Sequence, residues 1–443
     1  MKYSHRSLIW LCFFSIFFII RKCAAQDTLL NLALMDTAYS EKLEVEYETA
    51  NKLFLESLKK ETAEKKLYNY YERRYKAFFK GVREDIESGQ MLNFPAISDK
   101  VEGVLSQIKK ANQLTKNIQV VLLRNNESNA FTIGDNTIFL NIGLFYYLEN
   151  ESQLAAILSH ETAHLVLEHT LKALRQSYED KGQEEEKLKS LRSVQIGRAD
   201  KAFDYIRSSI YKNENEMRLH EMEADSLGFI FLSNTSYKPQ QFIRALEIMA
   251  SFDTLRPSGV KTETYRQLFD LPEQKFKESW LALEDFSTYN YSAYNEKLNK
   301  DSVLSHPKSE DRIKHLQKIF PVLSVKSDVV SDKDFSNLTK WIKRQEAPNL
   351  FFNEQYGDVV YLSMLHLQND TADEYYKEWL GKAFLKIAEA RKNYRLNKYL
   401  ERINPQQQTK SYRQFLSFMW NLKLEELNTI AQYYSTDNLS VSY

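Results

Sequence analysis

The chain has 443 residues, too many for one small core, and this length predicts two or three domains. Sixty basic side chains balance 60 acidic ones, so the formal net charge is zero and a basic nucleic-acid footprint is excluded. Charged residues make up 27%, while only 11 glycines and 8 prolines are present, which argues against a turn-rich all-β fold and for a folded, mostly helical chain.

The first elements in chain order are a targeting segment and a helical stretch. Lys2, His5 and Arg6 precede an apolar run from Leu8 to Ile20, shorter than the roughly 20 residues that span a bilayer. Cys23-Ala24-Ala25 places small residues for cleavage before Gln26, so residues 1–25 are read as a signal peptide and the chain as exported, to the periplasm, the cell envelope or the medium. An uncleaved signal anchor, aided by Arg21 and Lys22, is the alternative, and it is the one route to membrane contact that the sequence offers. Both cysteines, Cys12 and Cys23, lie in this segment, so the chain beyond it has no thiol for a disulfide or for catalysis. Residues 26–100 read as an N-terminal helical region, with Leu43, Tyr47, Ala50, Leu53, Phe54 and Leu58 at helical spacing and Lys59 to Lys66 as a solvated charged face. A further helix is expected from Ser98, as N-cap, to Asn112.

Ile118 to Leu123 has the β-branched and aliphatic character of a strand. Ala130–Ile133 and Thr137–Asn141 predict a hairpin across Gly134-Asp135-Asn136. A helix follows from Asn150, the expected N-cap, with Gln153 at the capping-box position, and its pattern runs to about Ser177. Residues 178–200 are very polar and read as a long loop or projecting hairpin over what lies beneath. Helices are expected at about Asn215–Leu232, Gln240–Phe252 and Ser309–Ile319, with irregular polarity between 253 and 303. From Trp341 onward the chain is again helical.

The helix that starts at Asn150 carries His160-Glu161-Thr162-Ala163-His164. Positions i and i+4 share a helix face, so both imidazoles can grip one metal ion, and Glu161 then lies beside it as a general base toward water. Fifty-seven positions on, Glu221-Met222-Glu223-Ala224-Asp225 offers Glu221 as the third ligand, with Asp225 one turn later to receive a hydrogen bond from a ligand histidine. Glu223 points elsewhere on that helix. His220 and His169 are competing nitrogen donors, and His169 is discounted because a continuous helix would carry it roughly 140° past His164. Three protein ligands leave a fourth position for water, as a catalytic zinc ion requires, so one Zn2+ per chain is expected. Further on, Ser305-His306-Pro307 and Asp311-Arg312-Ile313 supply two candidates for stabilising an oxyanion, His306 and Arg312; His306 is also placed to cap the metal in a resting state.

His160-Glu-Thr-Ala-His164, Glu221-x-x-Ala-Asp225-x-x-Gly228, His306-Pro307 and Arg312-Ile313, in that order, resemble metallopeptidase family forty-eight. This gluzincin group includes the HtpX heat-shock proteases, the CAAX prenyl endopeptidases and the periplasmic BepA-type proteases. Asn129-Ala130-Phe131, Gly143-Leu144, Glu151 with Leu154-Ala155, and Glu168-His169 add to the likeness, which covers residues 101–320. The resemblance implies zinc held by His160, His164 and Glu221, catalysis by Glu161 with His306 and Arg312, and support from Asp225. It also implies that His306 blocks the zinc in a resting state. No long apolar span follows residue 20, which sets this chain apart from the membrane-embedded members and closer to the soluble exported ones.

The expected fold is therefore mainly α with a small β-sheet (α+β), a zincin-like metallopeptidase domain over 101–322 flanked by helical regions at 26–100 and 323–443. The expected function is zinc-dependent hydrolysis of peptide bonds in unfolded or misassembled envelope proteins, with protein or peptide partners and no nucleic acid. An extended substrate would add as a strand at an edge near Thr137–Asn141. The alternative is a zinc-containing chaperone or binding protein that works through its Tyr- and Leu-rich C-terminal helices.

Overall fold

A computed structural model describes residues 34–179, 214–251, 259–282, 309–324, 332–404 and 408–436. The signal segment, residues 180–200 of the polar stretch, and His306 lie outside the described residues. Two long helices come first, α1 (Thr37–Glu61) and α2 (Lys65–Glu87). The charged stretch at Lys59–Lys66 is solvated, as its composition predicts, and it also holds the break between these two helices. Helix α3 spans Pro95–Ala111 and is capped by Phe94, not by Ser98, which lies a full turn inside. Proline at the first helical position explains the earlier start, because its missing N–H is one the helix would leave unpaired anyway.

Strands β1 (Gln119–Leu123), β2 (Ala130–Thr132) and β3 (Thr137–Asn141) form one sheet in the order β1-β3-β2. β1 runs parallel to β3, pairing Val121 with Phe139, and β2 runs antiparallel, pairing Phe131 with Phe139. The expected hairpin is present, with Gly134 and Asn136 at φ 83° and 70° in its turn. The expected edge is not. β3 lies at the centre of the sheet and is buried along its whole length. On the far side of β1, Leu123 bridges Met91 and the Leu122 carbonyl accepts from the Leu92 N–H at 2.9 Å, so β2, which is also buried along its length, is the other edge of the described sheet.

Alternation along the strands splits the sheet's two faces between two cores. Val121, Leu123, Phe131, Ile133 and Phe139 face Tyr47, Phe78, Val82 and Ile86 of α1 and α2. Leu122, Ala130, Ile138 and Leu140 face the larger core with α3 and the helix that follows. Tyrosines tie the outer layer to the turn, for Tyr47 donates to Asp135 at 3.2 Å and Tyr75 to the Ile133 carbonyl at 3.2 Å.

Helix α4 (Glu151–Val166) crosses the second face and is buried on nearly every side from Ser152 to Ala163. Asn150 caps it as expected, accepting from the Gln153 N–H at 3.1 Å, while Gln153 accepts from the Glu149 N–H at 2.8 Å. The helix does not continue to Ser177. Glu168 takes φ 56°, in the left-handed region, and a separate helix α5 (His169–Glu179) leaves in a new direction. Helices α6 (Glu214–Ser233) and α7 (Gln241–Ser251) complete the core around α4. Gly228 of α6 sits so close to α4 that a Cβ there would stand 2.9 Å from the His160 Cα.

A second core is helical throughout. It joins α8 (Thr262–Phe269) to α11 (Glu346–Phe352), α12 (Tyr356–Leu367), α13 (Glu374–Lys392), α14 (Lys410–Asn421) and α15 (Leu424–Thr436). The segment 259–282, expected within the 101–322 domain, packs into this core instead through Tyr265, Phe269 and Trp280. Helix α9 (Ser309–Ile319) and helix α10 (Lys333–Arg344), which starts ahead of the expected Trp341, return to the first core through Leu316, Phe335 and Ile342. A polar seam joins the two cores. Arg124 donates to the Gly89 carbonyl at 3.0 Å and to Asn349 at 3.3 Å, and its guanidinium lies 3.9 Å over the Phe352 ring. Among the described residues no helix is long and apolar enough to cross a membrane.

Candidate metal centre

Helix periodicity places His160 and His164 one turn apart on α4, and the packing of α6 across α4 brings Glu221 to both. The two Nε2 atoms are 3.0 Å apart. Glu221 reaches them with Oε2 3.5 Å from His160 Nε2 and Oε1 3.7 Å from His164 Nε2. Ligand atoms at ordinary zinc bond lengths in a tetrahedron stand about 3.3 Å from each other, so this donor set fits a zinc ion. The charges fit as well. Glu161, Glu221 and Asp225 bring three negative charges and Arg312 one positive charge into a site where all four are buried, a formal balance of −2 with neutral histidines. A divalent cation matches it.

Around these three residues the structure builds a tight outer frame. His160 Nδ1 lies 3.0 Å from Asp225 Oδ1, the contact expected for the residue one turn past Glu221. Arg312, 2% exposed, donates from Nε and Nη2 to the two Asp225 oxygens at 2.7 and 2.6 Å, and its Nη1 stands 3.1 Å from Glu221 Oε2. Burial works against charge on His160, but the Asp225 and Glu221 carboxylates outweigh it and raise its pKa to about 9. Burial would likewise raise Asp225, yet the Arg312 charge and hydrogen bonds, with His160, hold it below the usual carboxylate range. In the metal-free chain these carboxylates thus hold a proton on His160 where they would otherwise favour a cation.

All three guanidinium nitrogens of Arg312 meet carboxylates, Nε and Nη2 those of Asp225 and Nη1 that of Glu221. Arg312 orients Asp225 and Glu221. Glu161 lies on α4 between the two histidines and is buried, 2% exposed.

His169, discounted on the premise of one continuous helix, is near the site after all. The break at Glu168 swings it back, so that His169 Nδ1 lies 2.8 Å from His164 Nδ1, on the side away from Glu221. Its Nε2 lies 3.1 Å from Glu223 Oε2, and its ring stacks on His220 at 4.3 Å with 4° between planes. His169, His220 and Glu223 thereby make a second trio whose ligand-type atoms are close enough to share a cation. Burial and the neighbouring His220 depress His169 to about 4, and burial lowers His220 as well. Periodicity held no signal for His169, because a glutamate at the break is neither glycine nor proline. The spacing of His220 and Glu223, three apart on one helix, was the available clue.

A sequence model described as "Peptidase family M48" matches residues 92–320. The chain is 26% identical over 176 residues to the beta-barrel assembly-enhancing proteases of Escherichia coli O157:H7 and of Escherichia coli strain K12, covering 38% of this chain and 35% of each relative. A putative beta-barrel assembly-enhancing protease of Vibrio cholerae is 23% identical over 163 residues, covering 35% of this chain and 34% of that one. The alignments thus span about a third of the length of these relatives.

Proposed function

The chain belongs to peptidase family M48, and from that premise we propose that it is a zinc-dependent endopeptidase in which His160, His164 and Glu221 hold one zinc ion and Glu161 moves the proton. The observation that carries this reading is the convergence of the two Nε2 atoms and the Glu221 carboxylate within bonding reach of one ion, with Glu161 beside them on the same helix. When bound, zinc supplies a Lewis acid that acidifies water and polarises a carbonyl. Glu161 takes the proton of the attacking water and delivers it to the nitrogen of the departing amine. Asp225 orients His160 through Nδ1, and Arg312 locks Asp225 and Glu221 in place. Burial of these side chains makes each contact stronger than it would be in water.

His306 is the proposed resting-state cap and oxyanion partner; His306→Ala giving a more active enzyme supports the cap, and simple loss of activity counts against it. An extended substrate adding as a strand has β2 as its candidate edge, since β3 is interior, and must displace what covers it, because β2 is buried along its length. Binding along a strand edge reads main chain more than side chains, which suits unfolded or misassembled proteins. The names of the E. coli relatives and the export-type N-terminus favour substrates in the cell envelope and a periplasmic or secreted location.

The test compares the purified wild type with Glu161→Gln for bound zinc and for cleavage of unfolded casein. Equal zinc near one per chain with cleavage by wild type alone supports the reading. Zinc in both with cleavage in neither favours a latent site or a binding role.

A further inference from the structure

Each candidate histidine ligand presents Nε2 to the metal position, so each must carry its proton on Nδ1 when neutral and ligated. For His160 that N–H has a ready acceptor, Asp225 at 3.0 Å. For His164 the group that Nδ1 meets is another histidine nitrogen, His169 Nδ1 at 2.8 Å. Two N–H groups cannot face each other at that distance, and two lone pairs repel. With the proton on His164, His169 Nδ1 has to be the acceptor. A neutral His169 then carries its own proton on Nε2, and that atom lies 3.1 Å from Glu223 Oε2. The chain of donors runs in one direction, from His164 through His169 to a half-exposed carboxylate, and every position in it is satisfied.

We propose that His169 and Glu223 form an outer relay that fixes the tautomer and orientation of His164, making them positioning residues for the zinc site. The proposal rests on the reading of His164 as a zinc ligand. It gives each acidic residue of the short segment Glu221-x-Glu223-x-Asp225 its own role. Glu221 faces the metal position, Asp225 serves His160, and Glu223 serves His164 at one remove. The left-handed turn at Glu168 makes this possible by returning His169 to the end of α4.

The same logic decides against the competing use of these side chains. His169, His220 and Glu223 are close enough to share a cation. A metal on His169 Nε2 would force the His169 proton onto Nδ1, opposite the Nδ1–H that a ligated His164 must present at 2.8 Å. The relay and the second metal exclude each other while the first site is filled, and His220 is left as a stacking partner of His169.

The experiment measures zinc stoichiometry, zinc affinity by chelator competition and the visible spectrum of the cobalt(II)-substituted protein. It uses the full chain and His169→Phe, His169→Asn, Glu223→Leu and His220→Phe. The relay predicts one zinc in the wild type and a dissociation constant raised about 10–100-fold in His169→Phe, with an altered cobalt spectrum. His169→Asn, whose side-chain oxygen can still accept from His164, recovers most of the affinity. Glu223→Leu gives a smaller loss, and His220→Phe, which keeps the stack and removes its nitrogens, leaves affinity unchanged. Unaltered affinity and spectrum in His169→Phe overturn the relay while leaving the zinc reading intact. Two zinc ions in the wild type and one in His220→Phe overturn it in favour of a second metal. No zinc in the wild type defeats the zinc reading and the relay with it.

Discussion

Replacing Gly228 by alanine sets two physical effects against each other with opposite signs. Helix propensity alone favours alanine by about 1 kcal/mol in a helix interior. The structure opposes it, for the new Cβ would stand 2.9 Å from the Cα and 3.0 Å from the N of His160, and 3.2 Å from the Ser159 carbonyl carbon. All three are backbone atoms of a buried helix, so no rotamer relieves the contact. Carbon atoms pack at about 3.5–4.0 Å, so α6 must retreat by about 0.5–1 Å. Glu221 and Asp225 lie on the same face of α6, within two turns of Gly228, and move with it. Metal–ligand distances tolerate about 0.2 Å. Overpacking of this kind costs about 1–3 kcal/mol, which should cancel or outweigh the propensity gain. Gly228→Ala is therefore expected to fold with stability lower by about 0–2 kcal/mol and to bind zinc about 10–100-fold more weakly. Gly103→Ala is the matched control. Gly103 is exposed on α3, and a Cβ added there would meet nothing within 4 Å, so the change should gain about 0.5–1 kcal/mol and keep full zinc affinity. Denaturant unfolding with and without chelator, with zinc competition on the same samples, reads both quantities. If Gly228→Ala behaves like its control, the close approach of α6 to α4 does not govern the site.

Glu161→Gln should retain zinc and the wild-type melting temperature while lowering kcat by about 10²–10⁴-fold; a kcat within threefold or so of wild type removes Glu161 as the base. Arg312→Met leaves the buried carboxylates of Asp225 and Glu221 without their cation, and the metal-free protein should lose about 3–5 kcal/mol in denaturant unfolding, a loss below about 1 kcal/mol being incompatible with the ion-pair frame. Burial raises Asp135 from 3.8 to about 7, so the folded chain keeps a proton that the unfolded chain has released. Its contribution is then fully present below about pH 4 and lost as pH rises toward 7, by up to about 4 kcal/mol. Asp135→Asn cannot titrate and still offers an acceptor to the Thr137 N–H, so its stability should gain steadily on wild type between those pH values; parallel stability curves would show that Asp135 is ionised throughout.

Chemistry that depends on residues within one or two helical turns was legible from the sequence. His160, Glu161 and His164 share a helix by their spacing alone, and Glu221 and Asp225 by theirs. The Asn150 cap, the hairpin around Gly134-Asp135-Asn136 and the helix at Ser309–Ile319 are likewise local, set by short-range hydrogen bonds and apolar period. What depended on distant partners was not. The strand order β1-β3-β2 rests on the parallel pairing of β1 with β3, a long-range contact that no local pattern announces, so Thr137–Asn141 became the centre of the sheet and not its edge. Arg312 was a candidate by residue type alone, and only its packing against α6 revealed its bonds to Asp225 and its contact with Glu221. His169 was lost to the assumption of a straight helix, since the left-handed residue is a glutamate, neither glycine nor proline, and leaves no mark in the periodicity. Spacing along one helix is a property of the chain, whereas the meeting of two helices is a property of the core that packs them, and that second kind of information brought the candidate metal ligands and their outer partners together.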